Sequence, residues 1–185
     1  MRKSVFRGFQ YLGWAIIAMV FQAAPAAAQF ASNSNAPVQL FADSIESEQN
    51  IISLDGQVDV RQGDVRVLSD NMKIYGGAGA SFDSGSLDEV ERIIAKGNFY
   101  YITPEQEVRG AQGIYEQVSD TFTVTGNVIL LQGENNIVTG EKLIYTLSTN
   151  KARMVGSCKG RKCGTKGRVK ALLKNSEQGD SSPET

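Results

Sequence analysis

Gly126-Asn127-Val128-Ile129-Leu130-Leu131-Gln132-Gly133, followed by Ile137-Val138-Thr139-Gly140-Glu141-Lys142-Leu143-Ile144-Tyr145, decides the fold of this chain. Val128 and Leu130 stand two apart behind a glycine and an amide side chain, the spacing that points residues to one face of a β-strand. Gln132-Gly133 is a turn signal, and a second strand runs on to an Ile-Tyr pair. The pattern recurs outward from here. Asp55-Gly56-Gln57-Val58-Asp59-Val60 and Lys96-Gly97-Asn98-Phe99-Tyr100-Tyr101 start alike and run on to Ile74-Tyr75 and Ile114-Tyr115. The Gly-to-Tyr distances are 19, 18 and 19 residues, and Tyr115 and Tyr145 each precede the next glycine, Gly126 or Gly156, by 11. A partial copy, Val38-Gln39-Leu40-Phe41-Ala42-Asp43-Ser44-Ile45, comes first. Such a fixed period, about 30 residues, marks a repeat architecture.

Val65-Arg66-Val67 and Thr121-Phe122-Thr123-Val124 alternate in the same way, and β-branched and aromatic residues are frequent throughout. No helical period is sustained after residue 29. With about three short strands per repeat, the chain is expected to be all-β, with ten to twelve strands. The repeat glycines are expected in tight turns between strands, where a left-handed backbone is needed. The repeat tyrosines are expected to pack, with their hydroxyls at the rim. Gly76-Gly77-Ala78-Gly79-Ala80-Ser81 opens a glycine-rich insertion that reads as a loop, and it leaves the register open over residues 76–90.

Residues 1–28 read as a signal peptide. Arg2, Lys3 and Arg7 precede an apolar run from Tyr11 to Phe21, and Ala26-Ala27-Ala28 fits a signal-peptidase site. That run is far shorter than the roughly 20 residues a membrane span needs. The expected organisation is a signal peptide (1–28), a flexible segment (29–36), a β-domain (37–156) and a basic, then polar, extension (157–185). The expected compartment is the periplasm.

Charge is uneven. Residues 29–150 hold 7 basic and 17 acidic side chains, a net charge of −10, whereas 151–174 hold nine basic residues and no acidic one. Nucleic acid is not an expected partner of such an acidic body. There is no histidine in the chain, which removes the commonest general base and metal ligand. No catalytic residue, metal site or cofactor is expected. Cys158 and Cys163 enclose Lys159-Gly160-Arg161-Lys162; in an oxidising compartment they suit a small disulfide loop, and otherwise remain two thiols.

The Gly-Asn-Val string, its Gln-Gly turn and the strand ending in Tyr145 resemble the OstA-like repeat. So does Gly56-Gln57-Val58-x-Val60-x-Gln62-Gly63. Asp43 after Ala42 and Asp70 after Ser69 match the Ala-Asp of that pattern; the middle copy departs from it, with Gly110-Ala111 and Thr103-Pro104. The resemblance covers residues 38–156. The family contains the periplasmic lipopolysaccharide-transport protein and domains of its membrane partners. It implies a twisted β-jellyroll, open along one side as a V-shaped groove that shields acyl chains. The implied groove interior is Val58, Val60, Leu68, Phe99, Tyr101, Val108, Val128, Leu130 and Val138. The implied partner edges are Val38 and Leu40 at one end and Leu143 and Tyr145 at the other. The implied partners are lipopolysaccharide, inner-membrane-anchored and outer-membrane components of a bridge, and further copies joined end to end. Two rivals stand beside this: a passive structural or glycan-binding β-module, disfavoured because the one tryptophan is Trp14, and a carboxylate glycosidase, disfavoured because no acidic pair stands out.

Overall fold

The computed structural model describes residues 36–77, 90–133, 136–149 and 151–173. The expected signal peptide, most of the segment 29–36, most of the glycine-rich insertion and the polar tail lie outside the described residues.

Ten strands form one antiparallel sheet: β1 Gln39–Phe41, β2 Ser44–Glu48, β3 Ile51–Gln62, β4 Val65–Gly76, β5 Val90–Ile102, β6 Gln106–Glu116, β7 Thr121–Gln132, β8 Asn136–Thr146, β9 Lys151–Val155 and β10 Lys170–Leu172. From β3 to β8 each strand pairs with the next; β1 and β2 share the outer side of β3, and β9 and β10 share that of β8. The terminal strands do not pair with each other, so the sheet is open. Helix among the described residues is limited to one 3-10 turn, Arg161–Cys163. Each repeat therefore supplies two strands of 11 to 13 residues rather than three short ones.

The reason lies at the repeat glycines. Gln62-Gly63, Thr103-Pro104 and Gln132-Gly133 do turn the chain between strands. Gly56, Gly97 and Gly126, expected in turns as well, instead sit in mid-strand. Between β3 and β4 the register passes from Asp55↔Asn71 to Val58↔Ser69, so Gly56 and Gln57 face one residue. Gly97-Asn98 and Gly126-Asn127 do the same against β6 and β8. These are β-bulges, and they need the same positive φ a turn would: 78°, 76° and 85° at the glycines. Glycine is also required sterically. A Cβ on Gly97 would stand 2.1 Å from Asp70 Oδ2, and Asn98 Nδ2 donates to both oxygens of that carboxylate at 3.0 Å. The Ala-Asp and Gly-amide motifs are thus two halves of one corner.

Bulges increase twist and bend a strand. The register shifts along one line in all five pairs from β3–β4 to β7–β8, dividing the sheet into two half-sheets. One comprises β2, β9 and the segments 51–55, 71–76, 90–96, 112–116, 121–125 and 142–146. The other comprises β1, β10 and the segments 58–62, 65–69, 99–102, 106–110, 128–132 and 136–140. The half-sheets face each other over one core. Phe122 on the first half-sheet lies 5.6 Å from Phe99 and 5.3 Å from Tyr101 on the second, centroid to centroid.

Lys170–Leu172 pairs with 137–139 of β8, so the sheet does not end at Gly156. The segment expected outside the β-core carries the last strand, because β8 has a free flank that β9 covers only over 142–146.

Candidate functional site

The register of the second half-sheet sets one inward row: Leu40, Val60, Val67, Tyr101, Val108, Leu130, Val138 and Ala171. The row beside it, through Asp59, Leu68, Tyr100, Arg109 and Ile129, faces outward. Of the expected groove residues, Val58, Val60, Phe99, Val108, Val128 and Leu130 are buried, and Tyr101 and Val138 pack against them. Leu68 is the exception. Val67 is buried and Leu68 is half-buried on the outer face, because the two-residue turn after Gln62 pairs Gln62 with Val65 and Val60 with Val67; a separate change of phase follows at the corner, from Val65, Val67 and Ser69 inward before it to Met72 and Ile74 after it.

The first half-sheet contributes two inward rows that counting forward from the glycines misses. Ile52, Ile74, Ile93, Tyr115, Phe122 and Tyr145 form one; Leu54, Met72, Ala95, Gly113, Val124, Leu143 and Met154 form the other. The signal for them was present: Ile52/Leu54 keep even steps with Val58/Val60 across the corner of β3, and Met72/Ile74 follow Val67/Ser69 once an odd step is allowed at the corner of β4. The Ile-Tyr pairs do not keep one orientation: Ile74 points inward in the first copy, whereas Tyr115 and Tyr145 do so in the next two.

Between the half-sheets lies a cavity of about 810 Å³, including the part open to solvent. Met72, Ile93, Ala95, Phe122 and Leu143 line one side, and Val67, Phe99, Tyr101, Val108 and Leu130 the other. Gly113 leaves room for the Phe99 ring, since a Cβ there would lie 2.4 Å from it. Among the described residues no charged side chain lines the cavity; Gln106 and the tyrosines Tyr101, Tyr115 and Tyr145 supply its polar atoms. Burial raises the Tyr101 pKa, with Tyr145 and Glu105 adding to the effect, and burial likewise raises that of Tyr115. Both hydroxyls stay neutral, which suits an apolar occupant. Among the described residues no group of three or more His, Cys, Asp or Glu stands close enough to hold a metal.

The outer face is polar where it is tight. Asp59 accepts from Arg61 and Arg66, each with an Nη2–Oδ2 distance of 2.6 Å. The hydrogen bond from Arg66 is the strongest influence on this carboxyl, and with Arg61 it holds the group well below the usual carboxylate range.

The expected edges need one correction. Val38 and Leu40 lie at the β1 end, which is an edge. Leu143 and Tyr145 do not form the other, since β8 is flanked by β7 and β9 and Leu143 is buried. The free strands there are β9 and β10. Cys158 and Cys163, between them, are joined as a disulfide.

A model of the family described as LptA/(LptD N-terminal domain) LPS transport protein matches residues 41–151, from the end of β1 to the start of β9. The chain belongs to this family. The LptA/LptD N-terminal family is one of transport proteins rather than enzymes, and its match spans the corners of β3 to β8. The fold is that of LptH, the LptA-homologous periplasmic component of the conserved lipopolysaccharide transport device from Pseudomonas aeruginosa: TM-score 0.61, 17% identity, 78% of this chain and 100% of that one. No curated protein sequence matches the chain.

Proposed function

We propose that this chain is a periplasmic lipopolysaccharide carrier that holds acyl chains between its half-sheets and joins inner- and outer-membrane components through its open edges. The observation that carries this is the cavity: apolar, uncharged, and lined by inward rows of both half-sheets. Each methylene left in water costs about 0.8 kcal/mol, so a chain of about a dozen costs on the order of 10 kcal/mol. A lipid with several such chains needs a continuous apolar path, and alternate residues along every strand provide one. Membership of an LPS transport family names the lipid class. The outer edges of β1, β2, β9 and β10, which have no neighbour among the described residues, suit strand addition between domains, with further copies or with membrane-bound partners.

The test is retention of intact against deacylated lipopolysaccharide. The purified chain is expected to co-elute with intact lipopolysaccharide in gel filtration and to leave the deacylated saccharide behind. Equal retention of both would favour a glycan-binding module and overturn the acyl-shielding role.

A further inference from the structure

The two ends of the sheet are built differently at the corner. β9 and β10 together occupy the place of one bent strand on β8, but where β3, β5 and β7 carry a two-residue bulge, this pair carries the whole segment 156–169. The segment is a closed loop. Cys158 and Cys163 are bonded, Cys158 N donates to Gly167 O at 3.0 Å, and Lys166 N donates to Cys163 O at 3.2 Å. Its neck is tight, since a Cβ on Gly156 would lie 2.4 Å from Gly167 O. Lys159, Arg161, Lys162, Lys166 and Arg168 project from it, all exposed, and none is ion-paired among the described residues. Confining like charges in one small ring is unfavourable unless an anionic surface offsets it.

The other end is acidic about its bend. Asp43 stands between β1 and β2, Glu46 and Glu48 lie on β2 and Asp55 on β3; Arg61, which lies over the Phe41 ring of β1 at 5.2 Å, is ion-paired with Asp59. We propose that the loop 157–168 is an electrostatic latch for an acidic strand edge, and that the edge it fits is β1–β2 of a second copy. This rests on the proposed role of the open edges as joints, and it names what decides the pairing. The ends match in form as well as charge. β2 and β9 have five residues each, β1 and β10 three each. Six antiparallel strands separate β2 from β9, so in a copy shifted along the sheet β2 runs antiparallel to β9, as every other neighbour does. Leu40 and Ala171 end one inward row, and Ile45 and Met154 end another, so stacking the copies continues both. The bend at Asp43 then meets the loop, corner against corner. A lipid headgroup fits the position less well: the loop sits on the corner side, whereas the polar lining groups Gln106 and Tyr145 lie near the hairpin ends of their strands.

Sedimentation of the purified chain tests this. Self-association should weaken about tenfold or more as salt rises from about 50 to about 500 mM, because exposed charges are screened. Replacing Arg161, Lys162 and Lys166 by Gln should cause a similar loss at low salt and little at high salt. Replacing the same three by Glu should abolish association, and mixing that variant with one carrying Glu46→Lys and Glu48→Lys should restore it. Wild-type association by the Gln variant at low salt would overturn the latch, as would intact association with lost binding to lipopolysaccharide micelles, which would make the loop a headgroup site. Prolines at Ala152 and, separately, at Arg153 separate the latch from the joint: adjacent residues of an antiparallel edge bond alternately inward and outward, so one of the two blocks only the free side. If that variant is monomeric while the Gln variant associates normally, the joint stands and the latch falls. If both proline variants associate like wild type, or the wild type is monomeric throughout, both fall.

Discussion

Gly97 and Asp70 show how much of this fold rests on single side chains. The carboxylate occupies the space a Cβ would need, and the glycine has a φ of 76°. Gly97→Ala is expected to destabilise the protein by about 1–3 kcal/mol in urea unfolding, from the backbone strain and the clash together. Asp70→Ala in the same chain should recover the clash but not the strain, so the double variant should lie between Gly97→Ala and wild type. The sequence shows the left-handed glycine plainly. It does not show whether that glycine ends a strand or bends it, because a hairpin and a bulge both need φ above zero. What separates the two is the Asp of the preceding copy, legible only once the Ala-Asp and Gly-amide motifs are seen as contacting halves. Asp59 carries the pH dependence. Its folded pKa is depressed, chiefly by Arg66, so its contribution is present above the unfolded value, about 4, and is lost as pH falls below it. Asp59→Asn should lower the denaturation midpoint at pH 7, and the gap should narrow steadily as the pH is taken below about 4. A gap unchanged under acid would remove the carboxylate from the account.

Strand phase depends on the turns and the corners. Val67 is buried and Leu68 is not, although a count of even steps from Val58 and Val60 puts Leu68 inside. An aspartate at Val67 should cost several kcal/mol, on the order of 3, by burying an unpaired charge, whereas one at Leu68 should cost about 1 or less. The reverse order would show that Val60 does not face Val67 across the hairpin. A count of even steps from β3 misses this, because a two-residue turn pairs residues an odd number apart. The last strand was hidden for a different reason. Lys170-Ala171-Leu172 follows a run of exposed cations, and its outer side has no neighbour among the described residues, so its composition is that of a solvated tail. The family resemblance, which ends at Gly156, implies an edge at Leu143 and Tyr145, whereas the strand beyond them is split by the loop into β9 and β10. The loop is expected to hold β10 in place. Closing so short a ring contributes about 2 kcal/mol in the loop-entropy model, so replacing Cys158 and Cys163 by Ser should speed hydrogen exchange at Lys170–Leu172 and leave β3 to β7 protected. Uniform loss of protection would mean that the disulfide supports the whole sheet.

At the scale of the molecule, the repeat gives the sheet its length and the corners give it an inside. Six long strands stack in chain order, each adding one increment of apolar wall to both half-sheets, and the open ends leave that wall free to continue into another domain. The repeat, the all-β class and most of the second half-sheet's inward row were legible from spacing alone. The first half-sheet was legible only in part: Ile52/Leu54 follow the same even count as Val58/Val60, whereas β4, β6 and β8 take an odd step at the corner that spacing does not mark. The central claim is that the space between the half-sheets takes acyl chains. A photo-crosslinking residue placed at Tyr101 or Leu130, on the inward row, and at Leu68 or Ile129, on the row beside it, tests this most directly. The account predicts capture of lipopolysaccharide from the first pair and none from the second; equal capture from both, or capture from Leu68 and Ile129 alone, would contradict it.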